Sequence, residues 1–240
     1  MRVVRGVVHG VGELCITLGV LLLLFVVWQL WWTDVVAGRA QDATTQRLEQ
    51  LWKPQVRAAT PGVPLRPAAS QPVAERPVAQ VAAGTPFALI RVPRFGKEYV
   101  RPILQGTDLS TLDEGVGHYE NSVGPGAVGN FALAGHRVTY AKPFNQIAEL
   151  RTGDPIVIET KTSWYVYRVV RHTIVTPDRV DVVAPVPERP GATPTQRLMT
   201  MTACHPEFSA RLRYVVYSQL AQTIPKTGGA VPDVLTAASS

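Results

Sequence analysis

From Leu14 to Trp32 the chain runs LCITLGVLLLLFVVWQLWW without a charged residue, and this run constrains everything around it. A helix of that length, at about 1.5 Å per residue, matches the hydrocarbon core of a bilayer, about 30 Å thick. It predicts a transmembrane signal-anchor over residues 14–33, preceded by a short segment, residues 1–13, that carries Arg2 and Arg5. By the positive-inside rule those arginines keep the N-terminus cytoplasmic, while Trp28, Trp31 and Trp32 mark the far interface. A cleaved signal peptide is the alternative, with Val35-Val36-Ala37 as a small-residue site, but signal cores run to about 7–15 residues. The expectation is a single-pass protein of the cell membrane, with everything beyond Thr33 extracytoplasmic.

Residues 34–86 read as spacer. Residues 34–53 are polar with a weak helical pattern through Leu48, Leu51 and Trp52, stopped by Pro54, which predicts a short stalk helix. From Pro54 to Pro86 there are seven prolines among alanines and valines and no periodicity, the composition of a semi-rigid linker able to hold a domain up to roughly 100 Å from the bilayer. The net charge of +6 is spread along the chain with no basic cluster, so a nucleic-acid partner is not expected.

At Phe87 the texture changes to short apolar or alternating runs: FALIRV, EYVRPILQ, FALAGH, PIVIET, WYVYRVVRHTIV, RLMTMTAC and RYVVYSQL. These read as strands. Only residues 108–112 and 143–150 look like short helices, which favours a small closed barrel over a parallel α/β sheet. The stretch from Pro177 to Gln196 carries five prolines and reads as a long, stiffened loop. The predicted architecture is mainly β: a closed barrel over residues 87–223 with a few short helices, one transmembrane helix and a Pro-rich linker before it, and a flexible tail over residues 224–240.

Cys204 ends the run RLMTMTAC and has no disulfide partner, because the other cysteine, Cys15, lies in the membrane segment. A free thiol in an oxidising compartment calls for a function. A nucleophilic thiol needs an acid or base nearby. His9 is on the wrong side of the membrane, His205 points to the opposite face of its strand, and His118 and His172 read as packed or solvated. His136, at the end of FALAGH, remains. Gly135 before it allows another segment close approach. Arg211 and Arg213, opening the last strand on one face, could stabilise developing negative charge, and alternation alone does not choose between them.

Together these residues resemble the sortases, and among them the class E group of Gram-positive actinobacteria. The resemblance covers roughly Phe87 to Gln222 and rests on FALAGHR around His136, TMTAC ending in Cys204, His205-Pro206 after it and an arginine opening the next strand. The spacing from Cys204 back to His136 and forward to Arg213 also looks like the class E pattern and selects Arg213 over Arg211. IRVPRFGKEYV, GVGHYENSVGPGAVGN and AKPFNQIAEL look like the family's first strands and early helices. The resemblance implies a sortase-like barrel with His136, Cys204 and Arg213 as the catalytic set, no cofactor and no metal. It implies cleavage of a Leu-Ala/Pro-x-Thr-Gly sorting signal on secreted proteins and transfer to an amine of a peptidoglycan precursor.

Substrate contacts are expected from Tyr99, in Glu98-Tyr99-Val100, and from Thr202 and Ala203. Sortases usually carry threonine directly before the cysteine, where this chain has Ala203, and leucine where it has Met201. A pilus-polymerising sortase would add an Asp-Pro-aromatic lid, and no Asp-Pro occurs in the linker. A peptide-binding module on the same barrel is the non-enzymatic alternative. Ile224-Pro225-Lys226-Thr227-Gly228 itself resembles a sorting signal, without the hydrophobic segment and basic end that would complete one.

Overall fold

The computed structural model of the chain describes residues 2–53, 81–226 and 229–236. Most of the expected Pro-rich linker, residues 54–80, lies outside the described residues, as do Thr227 and Gly228 of the tail.

Eight strands close into a barrel: β1 (Pro86–Arg91), β2 (Val100–Gln105), β3 (Val116–His118), β4 (Gly129–Ala134), β5 (Pro155–Glu159), β6 (Ser163–Val175), β7 (Arg197–His205) and β8 (Leu212–Pro225). Their order is β1-β2-β3-β4-β7-β8-β6-β5, and β5 pairs back onto β1. Pairing is mixed, with β2–β3 and β4–β7 parallel. Closure follows from the alternation visible in the sequence. On β7, Met199, Met201 and Ala203 point into a core shared with Phe131, Leu133, Ile156, Ile158, Tyr167, Tyr214 and Val216. The intervening Thr200, Thr202 and Cys204 therefore face outward. Burying each large aliphatic of this core contributes roughly 1.5–3 kcal/mol.

Strand β3 is not among the runs that read as strands by their period: Val116–His118, within the GVGHYENSVGPGAVGN segment, pairs with both β2 and β4. Three residues are too few for a period to show, and glycine is what makes the pairing possible: a Cβ on Gly117 would meet the Gly106 carbonyl oxygen at 2.5 Å.

His118 on β3 is fully buried, with Nδ1 2.7 Å from Gln105 Oε1 and Nε2 2.8 Å from Ser122 Oγ. Burial pushes its pKa down to about 4, against about 6.5 in an unfolded chain. The unfolded chain thus takes up a proton that the fold refuses. This stabilisation is complete above pH 6.5 and is lost as pH falls toward 4, by roughly 2–3 kcal/mol at pH 4.5. Denaturant melts at pH 7.5 and 4.5 should show the wild type losing that much more stability than His118→Gln. Equal losses would remove His118 as the source.

Helix α1 (Arg2–Trp52) is continuous over 51 residues, where a membrane helix and a separate stalk helix were expected. No proline interrupts it before Pro54, and at 1.5 Å per residue it is roughly 75 Å long. It contains the one stretch among the described residues that is long and apolar enough to cross a membrane, and the described residues of that stretch are not buried in the protein. Its C-terminal part is different. Ala37, Gln41, Thr45 and Leu48 are buried on one face, the i, i+4, i+8, i+11 stripe of a docked helix. Asp42 lies 3.7 Å from Arg101, and Glu49 meets Arg91 at 2.5 Å. The barrel thus rests on the helix directly beyond the apolar run.

The tail is also tied down further than its composition suggests. Ile224 and Pro225 end β8, opposite Trp164 and Ser163. The Lys226 amide donates to Thr162 O at 2.8 Å, and its ammonium meets Glu159 at 2.6 Å between the rings of Trp52 and Trp164. The signal-like Ile-Pro-Lys of this segment is held in the sheet.

Candidate active site

The site is built by register. Each β4 residue pairs with the β7 residue 68 positions later, from Gly129 opposite Arg197 to Ala134 opposite Thr202. The ladder closes where the Gly135 amide donates to Thr202 O at 3.1 Å. His136 and Cys204 each follow two residues beyond the last pair, Ala134 and Thr202. On the other side of β7, Cys204 is the direct partner of Arg213 in the antiparallel β7–β8 ladder. Directly opposed residues share a face, and that face is the outer one, since Ala203 and Tyr214 on either side of the pair point into the core. Arg211 lies beyond the ladder, where β8 has not begun.

Each group is held from behind. His136 Nε2 lies 3.1 Å from Asp113 Oδ1 on α2 (Leu109–Glu114), so Nδ1 is the ring nitrogen outside that pair. Asp108 starts that helix by accepting from the Thr111 amide at 3.0 Å, an N-cap that fixes where Asp113 falls. Arg213 Nη1 donates to Ala210 O and Leu212 O at 2.9 and 3.0 Å, which pins the guanidinium at the rim. Arg137 is almost fully buried beneath the pair: its Nη1 donates to His205 Nδ1 at 2.8 Å and to Cys204 O at 3.3 Å. His205 accordingly faces away from the thiol, as strand alternation requires. Cys204 itself is half-buried.

Gly135 is the close-approach point anticipated in the sequence. A Cβ there would stand 2.8 Å from Phe144 Cδ2, and Phe144 is fully buried. The ring packs under the end of β4 and fixes the angle at which the chain leaves it. The following segment then turns through Tyr140, Ala141 and Lys142, all left-handed with φ of 53°, 59° and 42°. That conformation costs roughly 1–2 kcal/mol for each non-glycine residue. It stacks the Tyr140 ring on the His136 imidazole, centroids 5.1 Å apart.

A groove of about 500 Å³ opens between Gly106–Asp108, Tyr119–Ser122 and the β6–β7 loop at Val180 and Val183–Pro185, and none of Cys204, His136 and Arg213 lines it. Thr202 Oγ1 donates to Leu133 O at 3.2 Å, so the Tyr119 hydroxyl, also 3.2 Å away, donates to it. Thr202 thus links the groove to Cys204, two residues and about 7 Å along the strand. The Pro-rich loop is tied to the barrel at several points. Asn130 Nδ2 donates to Ala184 O at 3.0 Å, Glu188 meets Arg171 at 2.6 Å, and Val182 packs on Val215 and Tyr217.

Two of the expected substrate residues have their side chains engaged within the fold. Ala203 turns its side chain into the core, so only its backbone borders the site. The Tyr99 hydroxyl donates to Pro143 O, bracing the segment below His136, and burial raises its pKa. Of the groups that hold the site, Asp113, Arg137, Tyr119 and Tyr140 were not singled out from the sequence. Only Arg137, adjoining His136, carried a local signal. Among the described residues no group of three or more His, Cys, Asp or Glu could hold a metal ion.

Comparison with known proteins places the chain in a family. The sortase domain profile matches residues 90–221. Sortase SrtE1 of Streptomyces coelicolor is 36% identical over 235 residues, covering 95% of this chain, which in turn spans 60% of that protein. Sortase SrtE2 of the same organism is 34% identical over 242 residues, covering 96% of this chain and 88% of its own length. The crystal structure of Sortase E1 from Streptomyces coelicolor with a tripeptide in the active site superposes with a TM-score of 0.58 at 36% identity, covering 65% of this chain and 99% of that one. With the domain matched over more than half of its residues, the chain belongs to the sortase family of cysteine transpeptidases.

Proposed function

We propose that this chain is a class E-like sortase, anchored in the cell membrane by a single pass of α1, that cleaves a Leu-Ala/Pro-x-Thr-Gly signal between Thr and Gly and joins the Thr carbonyl to a cell-wall amine. The observation that carries the reading is the pairing of Cys204 with Arg213 on one face of the β7–β8 ladder, with His136 and Cys204 each two residues beyond the last β4–β7 pair.

In the first half-reaction the Cys204 thiolate adds to the Thr carbonyl carbon, and Arg213 donates hydrogen bonds to the oxyanion that forms. Collapse breaks the C–N bond, and the glycine nitrogen leaves with the electron pair and takes a proton from His136. An amine of a peptidoglycan precursor, losing its proton to His136, then attacks the thioester and releases the Cys204 thiolate. Asp113 on Nε2 orients the imidazole so that Nδ1 meets the reacting atoms. The peptide would lie along the groove toward Thr202. A tripeptide occupies the active site of the Streptomyces coelicolor Sortase E1 structure, which supports a peptide ligand here.

The test uses the full chain in detergent micelles with a Leu-Ala-x-Thr-Gly peptide and no amine. Intact-mass analysis should show Cys204 gaining the Leu-Ala-x-Thr acyl group, and added amine should discharge it. Neither adduct nor cleavage would leave the barrel as a peptide-binding module.

A further inference from the structure

We propose that the first turns of α1 beyond the membrane segment are part of the active site's support, and that Asp34 and Gln41 are positioning residues for His136. The inference rests on the catalytic reading of His136 and goes beyond it.

The Tyr140–Lys142 turn is what carries the aromatic ring stacked on His136, and three successive non-glycine residues do not stay left-handed unless something holds them. Part of the hold is internal: the Lys142 amide donates to Thr139 O and the Phe144 amide to His136 O, both at 2.9 Å. The rest comes from α1. Gln41, with no exposed surface, donates Nε2 to Tyr140 O at 3.0 Å. Asp34 Oδ2 pairs with Lys142 Nζ at 3.0 Å. Between them Gly38 passes over Ala141, where a Cβ on Gly38 would stand 3.8 Å from the Ala141 Cβ. Residues 34, 38 and 41 fall on one helix face, so a single face of α1 touches each of the three left-handed residues. Asp34 is two residues beyond Trp32, the last residue of the uncharged run. The segment that leaves the membrane therefore also grips the turn that packs on the imidazole.

Loss of the grip lets the turn relax, the Tyr140 ring move and His136 rotate away from the Cys204 thiol, while the groove keeps its shape. Such a displacement lowers kcat and leaves KM nearly alone. In the full chain in micelles, Gln41→Leu should lower kcat for peptide transfer about tenfold with KM within about twofold. Asp34→Lys and Lys142→Asp should each lower kcat several-fold, and the two together should restore it to within about twofold of wild type. Glu49→Gln loosens the far end of the same helix contact, at Arg91, and should leave kcat unchanged.

Wild-type kcat in Gln41→Leu, or a charge-swapped pair no better than its parents, would overturn the proposal. So would a fall of kcat in Glu49→Gln equal to that in Gln41→Leu, since the contact would then serve stability alone. His136→Ala is measured alongside. If it keeps wild-type kcat, the catalytic reading of His136 fails. If it is inactive while Gln41→Leu is normal, only the positioning role fails.

Discussion

Cys204→Ala leaves no peptide adduct on the protein and slows cleavage on the order of 10⁴-fold, the scale of losing a covalent nucleophile. No other thiol can take its place, because Cys15 sits on α1 within the apolar run. The loss should be chemical and not structural. Cys204 is half-buried and faces outward at the end of β7, so removing its sulfur opens no core cavity, and stability should change by under about 1 kcal/mol. Peptide cleavage followed by chromatography, intact mass and a thermal melt check the three parts of this expectation. Residual cleavage within about tenfold of wild type would mean that another group attacks the carbonyl.

Arg213→Ala should lower kcat/KM by about 10²–10³-fold, the range for losing a donor to a developing oxyanion. Arg211→Ala should stay within about twofold. Both arginines lie near the start of the same segment with the same alternation, and the contrast between them comes from register. Arg213 is the ladder partner of Cys204, whereas Arg211 is exposed and precedes β8. Arg213→Lys keeps the charge but loses the planar fork, and should fall between wild type and alanine. Steady-state rates of the three variants on one peptide decide the matter. Equal losses at both positions would point to general attraction of the substrate by positive charge.

The strands were legible where they are long enough for alternation to show, from FALIRV through RYVVYSQL. β3 escaped because three residues, one of them glycine, hold no period. Continuity of α1 escaped as well: its sequence changes from apolar to polar at Thr33, which looks like a boundary, yet a helix backbone crosses such a change without cost. The lone thiol and a histidine ending an apolar run made Cys204 and His136 visible. Asp113 had no such mark, since an acidic residue on a short surface helix has the same local pattern whether it faces solvent or an imidazole.

Ala203 divides the two kinds of information well. The sequence put it next to the thiol and so among the substrate contacts, and alternation on β7 turns it into the core. By itself the sequence determined the apolar run, the strand periods, the lone thiol beyond that run and a glycine suited to close approach before His136, because each depends on residues within a few positions of one another. The tertiary structure alone decided that the 68-residue offset is a β4–β7 register, that Arg213 faces Cys204, that Asp113 holds His136, and that α1 bears on the Tyr140 turn. Those depend on free energies of contact between distant segments, and no local pattern encodes which surfaces will meet.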